Sequence, residues 1–265
     1  MATIEDYFKT TITGLDQTSN LQFYKADTFP TINPIHWLVS HFAVGSYSPL
    51  GKLNGMLTAH MTQIAPRNGF GWHPHRGLEI YTYVVEGQLY HEDTTGGSGV
   101  ITAGEVQRMF SGQYIEHQEL NLTDHYTRVI QIWFLTRPEL WDIEPHYEQV
   151  SLEKMPPRQV GDGVVREIIG PNRNTQAHVS VRLTSTLTPA GGQTTVELPQ
   201  AGEDLFLYIV DGAGQLESTG LHQDFGRYDV ILATPQAEAP LLKAGDKPVN
   251  FLSFYLEPFV PVKKV

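Results

Sequence analysis

Apolar and polar positions along this chain alternate in short runs with a period of two, and runs with a helical period are scarce. The stretches 21–26 (LQFYKA), 36–44 (HWLVSHFAV), 55–65 (GMLTAHMTQIA), 78–87, 87–93 and 126–135 are rich in β-branched and aromatic residues and read as strands. Turn signals such as APRNG, TTGGSG, TAGE and SGQ separate them. The best short helix candidate is 138–150 (PELWDIEPHYEQV), with Pro138 in its first turn. Strands of this length with so few helices predict an all-β chain of antiparallel barrels or sandwiches.

Prolines 138, 145, 156 and 157, followed by Gly-Asp-Gly, mark a break within 138–162 that divides the chain into units 1–150 and 151–265. Beyond it the strand-and-turn texture resumes. The phrase DLFLYIVDGAGQLES has the layout of EIYTYVVEGQLYHED, and FGRYDVILA that of ITAGEVQRM. The first pair shares an apolar strand, an acidic-Gly turn and a returning strand, so the pattern predicts an internal duplication of one small barrel.

Composition narrows the function. A formal charge of −11, with no long Lys/Arg cluster, argues against nucleic acid or an anionic membrane as partner. The chain has no cysteine, which removes disulfides, thiolate ligands and a cysteine nucleophile. With no leader-like segment and no apolar run of about 18 residues, the expectation is a soluble, cytoplasmic protein. Nine of the eleven histidines fall in residues 1–150, so imidazole chemistry belongs to the first unit.

Within that unit, His73 and His75 flank Pro74 two residues apart, so on a strand they share a face while Pro74 points away. His117 and Glu119 repeat that spacing in a second strand-like stretch, SGQYIEHQELN. Three imidazoles and a carboxylate from two adjacent strands can grip a divalent metal such as Fe, Mn, Ni, Co, Cu or Zn and leave positions open. Glu79 shares parity with His73 and His75 if the strand runs unbroken through Gly77. His41 and His60 read as core histidines, and His91 as part of a solvated hairpin end. Phe70, Tyr81, Tyr83, Phe110 and Tyr114 read as an aromatic core or pocket. Ser111 and Thr94 have no arranged base, so a Ser-His-Asp hydrolase is unsupported.

The stretch HPHRGLEIYTYVVEGQLYHED, followed by GVITAGEVQRMFSGQYIEHQE, closely resembles the pirin family of the cupin superfamily over residues 69–121, and more weakly to about 150. The resemblance implies a bicupin: two tandem antiparallel β-barrels with a few short helices, of which only the N-terminal one (1–150) binds metal, 151–265 being degenerate. It implies His73, His75, His117 and Glu119 as ligands of one metal, Fe2+ foremost. Glu79 is then expected to orient a histidine from outside the ligand set, direct ligation being the alternative. Trp72, an unusual residue beside the first ligand, either packs in the barrel wall, the preferred reading, or roofs the site.

Two functions follow from the resemblance. The first is a metal-dependent dioxygenase opening quercetin or a similar flavonol with O2, with Glu119 accepting the substrate proton. The second is a non-catalytic iron-binding regulator that modulates a partner protein. A monomer is expected in either case. An open, substrate-sized cavity at the metal would separate the first from the second.

Overall fold

The computed structural model describes residues 20–170, 177–218 and 220–259. The first part of the chain forms strands β1 (Leu21–Tyr24), β2 (Thr31–Ile35), β3 (Leu38–Val44), β4 (Met56–Ile64), β5 (Gly69–His75) and β6 (Leu78–Glu86). It continues with β7 (Gln88–Asp93), β8 (Ser98–Thr102), β9 (Val106–Phe110), β10 (Ile115–Leu120), β11 (Thr127–Leu135) and β12 (His146–Val150). The second part forms β13 (Pro157–Val160), β14 (Gly163–Ile169), β15 (Val181–Thr188), β16 (Gln193–Thr195) and β17 (Asp204–Asp211). After these come β18 (Gly214–Ser218), β19 (Leu221–Phe225), β20 (Val230–Ala233), β21 (Leu241–Ala244) and β22 (Val249–Leu256).

Each part builds a seven-stranded sheet facing a four-stranded one. In the first barrel the large sheet runs β12-β9-β6-β11-β4-β3-β2 and the small one β5-β10-β7-β8. In the second barrel the orders are β1-β20-β17-β22-β15-β14-β13 and β16-β21-β18-β19. Strands β2 to β11 of the first arrangement map in order onto β13 to β22 of the second, which is the topology of a duplicated barrel. The edge position held by β12 in the first barrel is held in the second by β1, which pairs with β20. The expected first unit thus lends its opening strand to the other barrel. The molecule is an all-β bicupin with antiparallel sheets throughout.

The large sheets lie back to back. Phe29, Met56, Tyr81, Tyr83 and Phe134 from one side join Phe206, Tyr208, Leu252 and Phe254 from the other in a single buried core. Strand β6 is therefore covered on both faces. Tyr81 and Tyr83 point to the partner barrel, while Ile80 and Val84 point into their own, which explains the near-continuous apolar run.

The helix expected over 138–150 does not form. Pro138–Leu140 make a single 3-10 turn, and His146–Val150 pair with β9 as β12. Pro145 removes a helical donor and biases Glu144 toward extended backbone, and the edge of the large sheet is open to receive the segment. No helix of the described residues is long and apolar enough to cross a membrane.

Candidate metal centre

Strands β5 and β10 pair antiparallel with His117 opposite His73 and Ile115 opposite His75. The alternation of side chains turns His73, His75 and His117 to the inner face of the small sheet, where each can offer a nitrogen within 4.8 Å of the other two. Their ring centroids lie 4.3–5.0 Å apart. His73 Nδ1 lies 2.7 Å from the Gly71 carbonyl, to which it donates, leaving Nε2 with its lone pair. His75 Nε2 and both nitrogens of His117 are buried with no hydrogen-bond partner. Burial, then the positive charge of neighbouring His117 and His73, lowers the pKa of His75 to about 4, against the opposing pull of Glu119. Burial and then His73 and His91 lower His117 to about 3. Three converging imidazoles with unused lone pairs are a donor set suited to a divalent transition metal.

Glu119 stands beside this trio, not inside it. Its carboxylate shares a 4.8 Å cluster with His117 and His91, and it does not fall within that distance of His73 and His75 together. Three donors hold it: Thr82 Oγ1 (3.2 Å) and Gln107 Nε2 (2.8 Å) to Oε1, and Gln131 Nε2 (2.8 Å) to Oε2. A register shift in the β5–β10 pairing between His117 and Glu119 accompanies this separation.

His91 overturns its expected place at a solvated hairpin end: it is 0% exposed. Strand β7 pairs with β10, setting His91 opposite Glu119 and Asp93 opposite His117. His91 Nε2 donates to Asp93 Oδ2 at 2.8 Å, and its ring stacks on Tyr147 at 4.3 Å. Its Nδ1 is buried and unpartnered beside His117. Asp93 Oδ1 accepts from the Thr95 amide and hydroxyl and from the Gly97 amide. Burial works to raise the Asp93 pKa, but the hydrogen bonds from His91 and Thr95 outweigh it and hold the carboxyl below its ordinary value. The sequence does carry a signal for this: Leu89, His91 and Asp93 share parity, and Leu89 is a core residue.

Glu79 does not orient a histidine of the trio. The left-handed Gly77, at φ +67°, breaks the chain between β5 and β6, so parity does not carry across, and the two strands belong to different sheets. Glu79 shares the face of Tyr81 and looks toward the second barrel. There Arg108 Nε donates at 2.6 Å and the Tyr81 hydroxyl at 2.8 Å to its Oε1, and the His178 amide at 2.8 Å to its Oε2. Trp72 neither packs in the wall nor roofs the site: it points outward, 50% exposed. His41 is a core histidine as expected, bonded to the Ala26 carbonyl and stacked on Tyr228. Of the five aromatic candidates only Phe70 lines the cavity; Tyr81 and Tyr83 pack between the barrels, Phe110 stacks on His178, and Tyr114 is exposed.

The trio and Glu119 form one side of a cavity of about 780 Å³ between the two sheets of the first barrel. Its walls are largely apolar and aromatic, with Phe42, Phe70, Ile80, Trp133 and Trp141 among them. His60, expected in the core, lines this cavity as well. Burial lowers its pKa to about 4, opposed by Glu119. In the second barrel the equivalents of β5 and β10, namely β16 (Gln193-Thr-Thr195) and β21 (Leu241-Leu-Lys-Ala244), carry no histidine or carboxylate.

Known proteins agree with this architecture. The family model described as pirin matches residues 30–134. A pirin-like protein of Caulobacter vibrioides is 33% identical over 192 residues, covering 70% of this chain and 79% of the relative. Pirin-like protein 2 of Arabidopsis thaliana is 30% identical over 204 residues, or 74% of this chain and 63% of the relative. A Zymomonas mobilis protein that carries a provisional quercetin 2,3-dioxygenase name is 42% identical over 103 residues, which span 37% of this chain and 44% of that protein. Among solved structures, the bacterial pirin YhhW of Escherichia coli in complex with nickel(II) superposes with a TM-score of 0.73 at 24% identity, covering 90% of this chain and 99% of that one. A quercetin 2,3-dioxygenase from Acinetobacter baumannii gives a TM-score of 0.73 at 17% identity, over 90% of this chain and 79% of the other. With a third of its residues shared across most of the Caulobacter protein, and the pirin model spanning the strands that carry the histidine trio, the chain belongs to the pirin family.

Proposed function

We propose that this protein is a metal-dependent dioxygenase that opens a flavonol-like aromatic substrate with O2, quercetin being the test compound. The observation that carries the reading is the cavity of about 780 Å³ that reaches the histidine trio, a volume within the range of small-molecule sites. A regulator acting only through its surface needs no such space, and no observation favours that alternative.

His73, His75 and His117 would hold the metal, with Glu119 as the fourth ligand. Fe2+ is the proposed ion; Mn, Ni, Co, Cu and Zn suit the same donors. A divalent metal held there would supply Lewis acidity toward an enol or catechol oxygen of the substrate. The remaining steps fall to the chain. Glu119, facing the cavity and held by Thr82, Gln107 and Gln131, is placed to accept the proton of the substrate hydroxyl. Trp133, Trp141 and Phe42 supply aromatic walls for a flat ring system and keep water from it. The provisional naming of the Zymomonas relative supports this substrate class. Small molecules are thus the proposed partners, with the chain acting as a cytoplasmic monomer.

The test is anaerobic loading with Fe, Mn, Ni, Co or Cu, then quercetin and O2, with consumption of quercetin and release of carbon monoxide as readouts. Turnover with at least one metal, and its loss in Glu119→Gln under retained metal binding, is the expected result. Absence of turnover with every metal would overturn the proposal.

A further inference from the structure

Across the cavity from the histidine trio, the large sheet presents a row of polar side chains that metal binding leaves unused. Thr58, His60 and Thr62 alternate along β4 and therefore share its inward face, and all three line the cavity with Ser40 of the adjacent β3. Ser40 is the direct cross-strand partner of Thr62.

The hydrogen-bond pattern determines which nitrogen of His60 carries the proton. The Thr58 hydroxyl has a single hydrogen, and it is donated to the Val44 carbonyl at 2.9 Å. Thr58 Oγ1 also lies 2.8 Å from His60 Nδ1, so in this contact the ring must be the donor. His60 is thereby held as the Nδ1–H tautomer, with Nε2 an acceptor, and no described residue bonds to that nitrogen. Phe42 stacks on the ring at 4.5 Å and 20°, which fixes its plane. His60 is about nine-tenths buried, yet Nε2 is absent from the sealed, unpartnered atoms, so it remains accessible from the cavity. Thr62 Oγ1 also has no partner, but it is sealed on a side chain 1% exposed, so His60 Nε2 is the group of this row that is open to a ligand. Buried polar atoms are rarely left unpaired unless a ligand or water meets them.

We infer that His60 Nε2, on the large sheet facing the histidine trio, is a recognition ledge for a phenolic or enolic O–H of the substrate other than the oxygen that faces the trio. This rests on the reading of the cavity as a substrate site and adds a second polar anchor to it. A site built to pair an O–H discriminates against an analogue that lacks it, because its own groups are then left unpaired. The ligand class is an aromatic compound with a free hydroxyl at the ledge end.

The probes are 2-naphthol and 2-methoxynaphthalene, titrated by fluorescence into nickel-loaded protein under argon. The hydroxyl compound should bind about tenfold more tightly than its methyl ether, on the scale of one buried hydrogen bond. His60→Phe keeps an aromatic ring against Phe42 and removes the acceptor; it should bring the ratio near one with nickel affinity, read by chelator competition, unchanged. Thr58→Val, which releases the ring from its tautomer lock, should lower the ratio, and it decides the matter if His60→Phe does not fold. Equal binding of the two probes by the wild type, binding of neither, or a ratio that survives the variants would overturn the inference. Quercetin that binds but is never turned over would sink the dioxygenase reading alone, and a probe ratio insensitive to the variants would sink the ledge alone.

Discussion

Removing Glu79 should destabilise the protein without touching its metal affinity. The carboxylate is fully buried, and the Arg108 guanidinium beside it is nearly so, with 2.6 Å between them. Tyr81 and the His178 backbone add two further hydrogen bonds to the same carboxylate, so the pair joins the two barrels. In Glu79→Ala the Arg108 charge stays in the interface with the partly buried Glu148, 3.7 Å away, as a more distant carboxylate partner. Breaking a buried ion pair in this manner costs about 3–5 kcal/mol. At roughly 2–4 °C per kcal/mol for domains of this size, the melting temperature should fall by about 10 °C. The double variant Glu79→Gln/Arg108→Met, which also removes the Arg108 charge, should recover more than half of the loss. Thermal melting by circular dichroism and nickel affinity by chelator competition are read on the same samples. A Glu79→Ala protein that melts like the wild type would refute the interface argument. A tenfold loss of nickel affinity at unchanged stability would return Glu79 to the ligand-orienting role suggested by parity.

Asp93→Asn sets an amide N–H against a donor in place of an acceptor oxygen, either at His91 Nε2 or at the Thr95 and Gly97 donors, at a cost of about 1–3 kcal/mol; urea unfolding should show that loss, while nickel affinity by isothermal titration stays within about threefold because His91 lies outside the proposed ligand set. Gly77→Ala forces a side chain onto φ +67° and brings a Cβ within 2.7 Å of the Trp141 ring, so a loss of about 2 kcal/mol and a shift in tryptophan fluorescence are expected, measured by urea unfolding. His60 is buried and neutral, its pKa lowered from 6.5 to about 4. The unfolded chain therefore binds the extra proton first, and the stability contribution is complete above about pH 6.5 and lost as the pH falls through about 4. The loss amounts to roughly 3 kcal/mol. The urea midpoint should decline over that window in the metal-free protein, and less steeply in His60→Phe; identical slopes would contradict the assignment.

The fold is legible in the sequence because its information is local. Period-two runs bounded by Gly turns specify strands, and the matching layouts of 79–93 and 204–218 report the duplication that the sheet orders display. The histidine trio is legible because His73, His75 and His117 lie on strands that pair directly, so parity within each strand settles the face. Parity and periodicity fail where a side chain's surroundings are nonlocal. For Glu79, parity does not survive Gly77, where the chain leaves the small sheet for the large one. For 138–150, the open edge of a distant strand, β9, is what makes the segment extended. The stacking partners of His91 and His60, Tyr147 and Phe42, come from other strands and nothing adjacent in the chain announces them, whereas Asp93 and Thr58 lie two residues away on the same strand face, within reach of a parity argument. No residue in the sequence anticipates that β1 closes the second barrel rather than the first.

The two sheets of the first barrel divide the candidate site between them, and this bears on how one barrel carries a histidine cluster while the matching strands of its duplicate do not. The small sheet carries the histidine trio, Glu119, His91 and Asp93, all on β5, β7 and β10. The large sheet carries Phe42, Trp133 and the polar row on β3, β4 and β11, and its other face is committed to the inter-barrel core. Substitutions on the small sheet therefore leave that core undisturbed, since none of its side chains belong to it. In the second barrel the small sheet has no imidazole or carboxylate on β16 and β21, while its large sheet still supplies Phe206, Tyr208, Leu252 and Phe254 to the shared core. Burial of these side chains, at about 25 cal/mol per Å² of apolar surface, sustains the duplicate independently of any ligand. The second barrel is thus retained by the packing of its large sheet, and its small sheet is free of the constraint that keeps three histidines converging in the first.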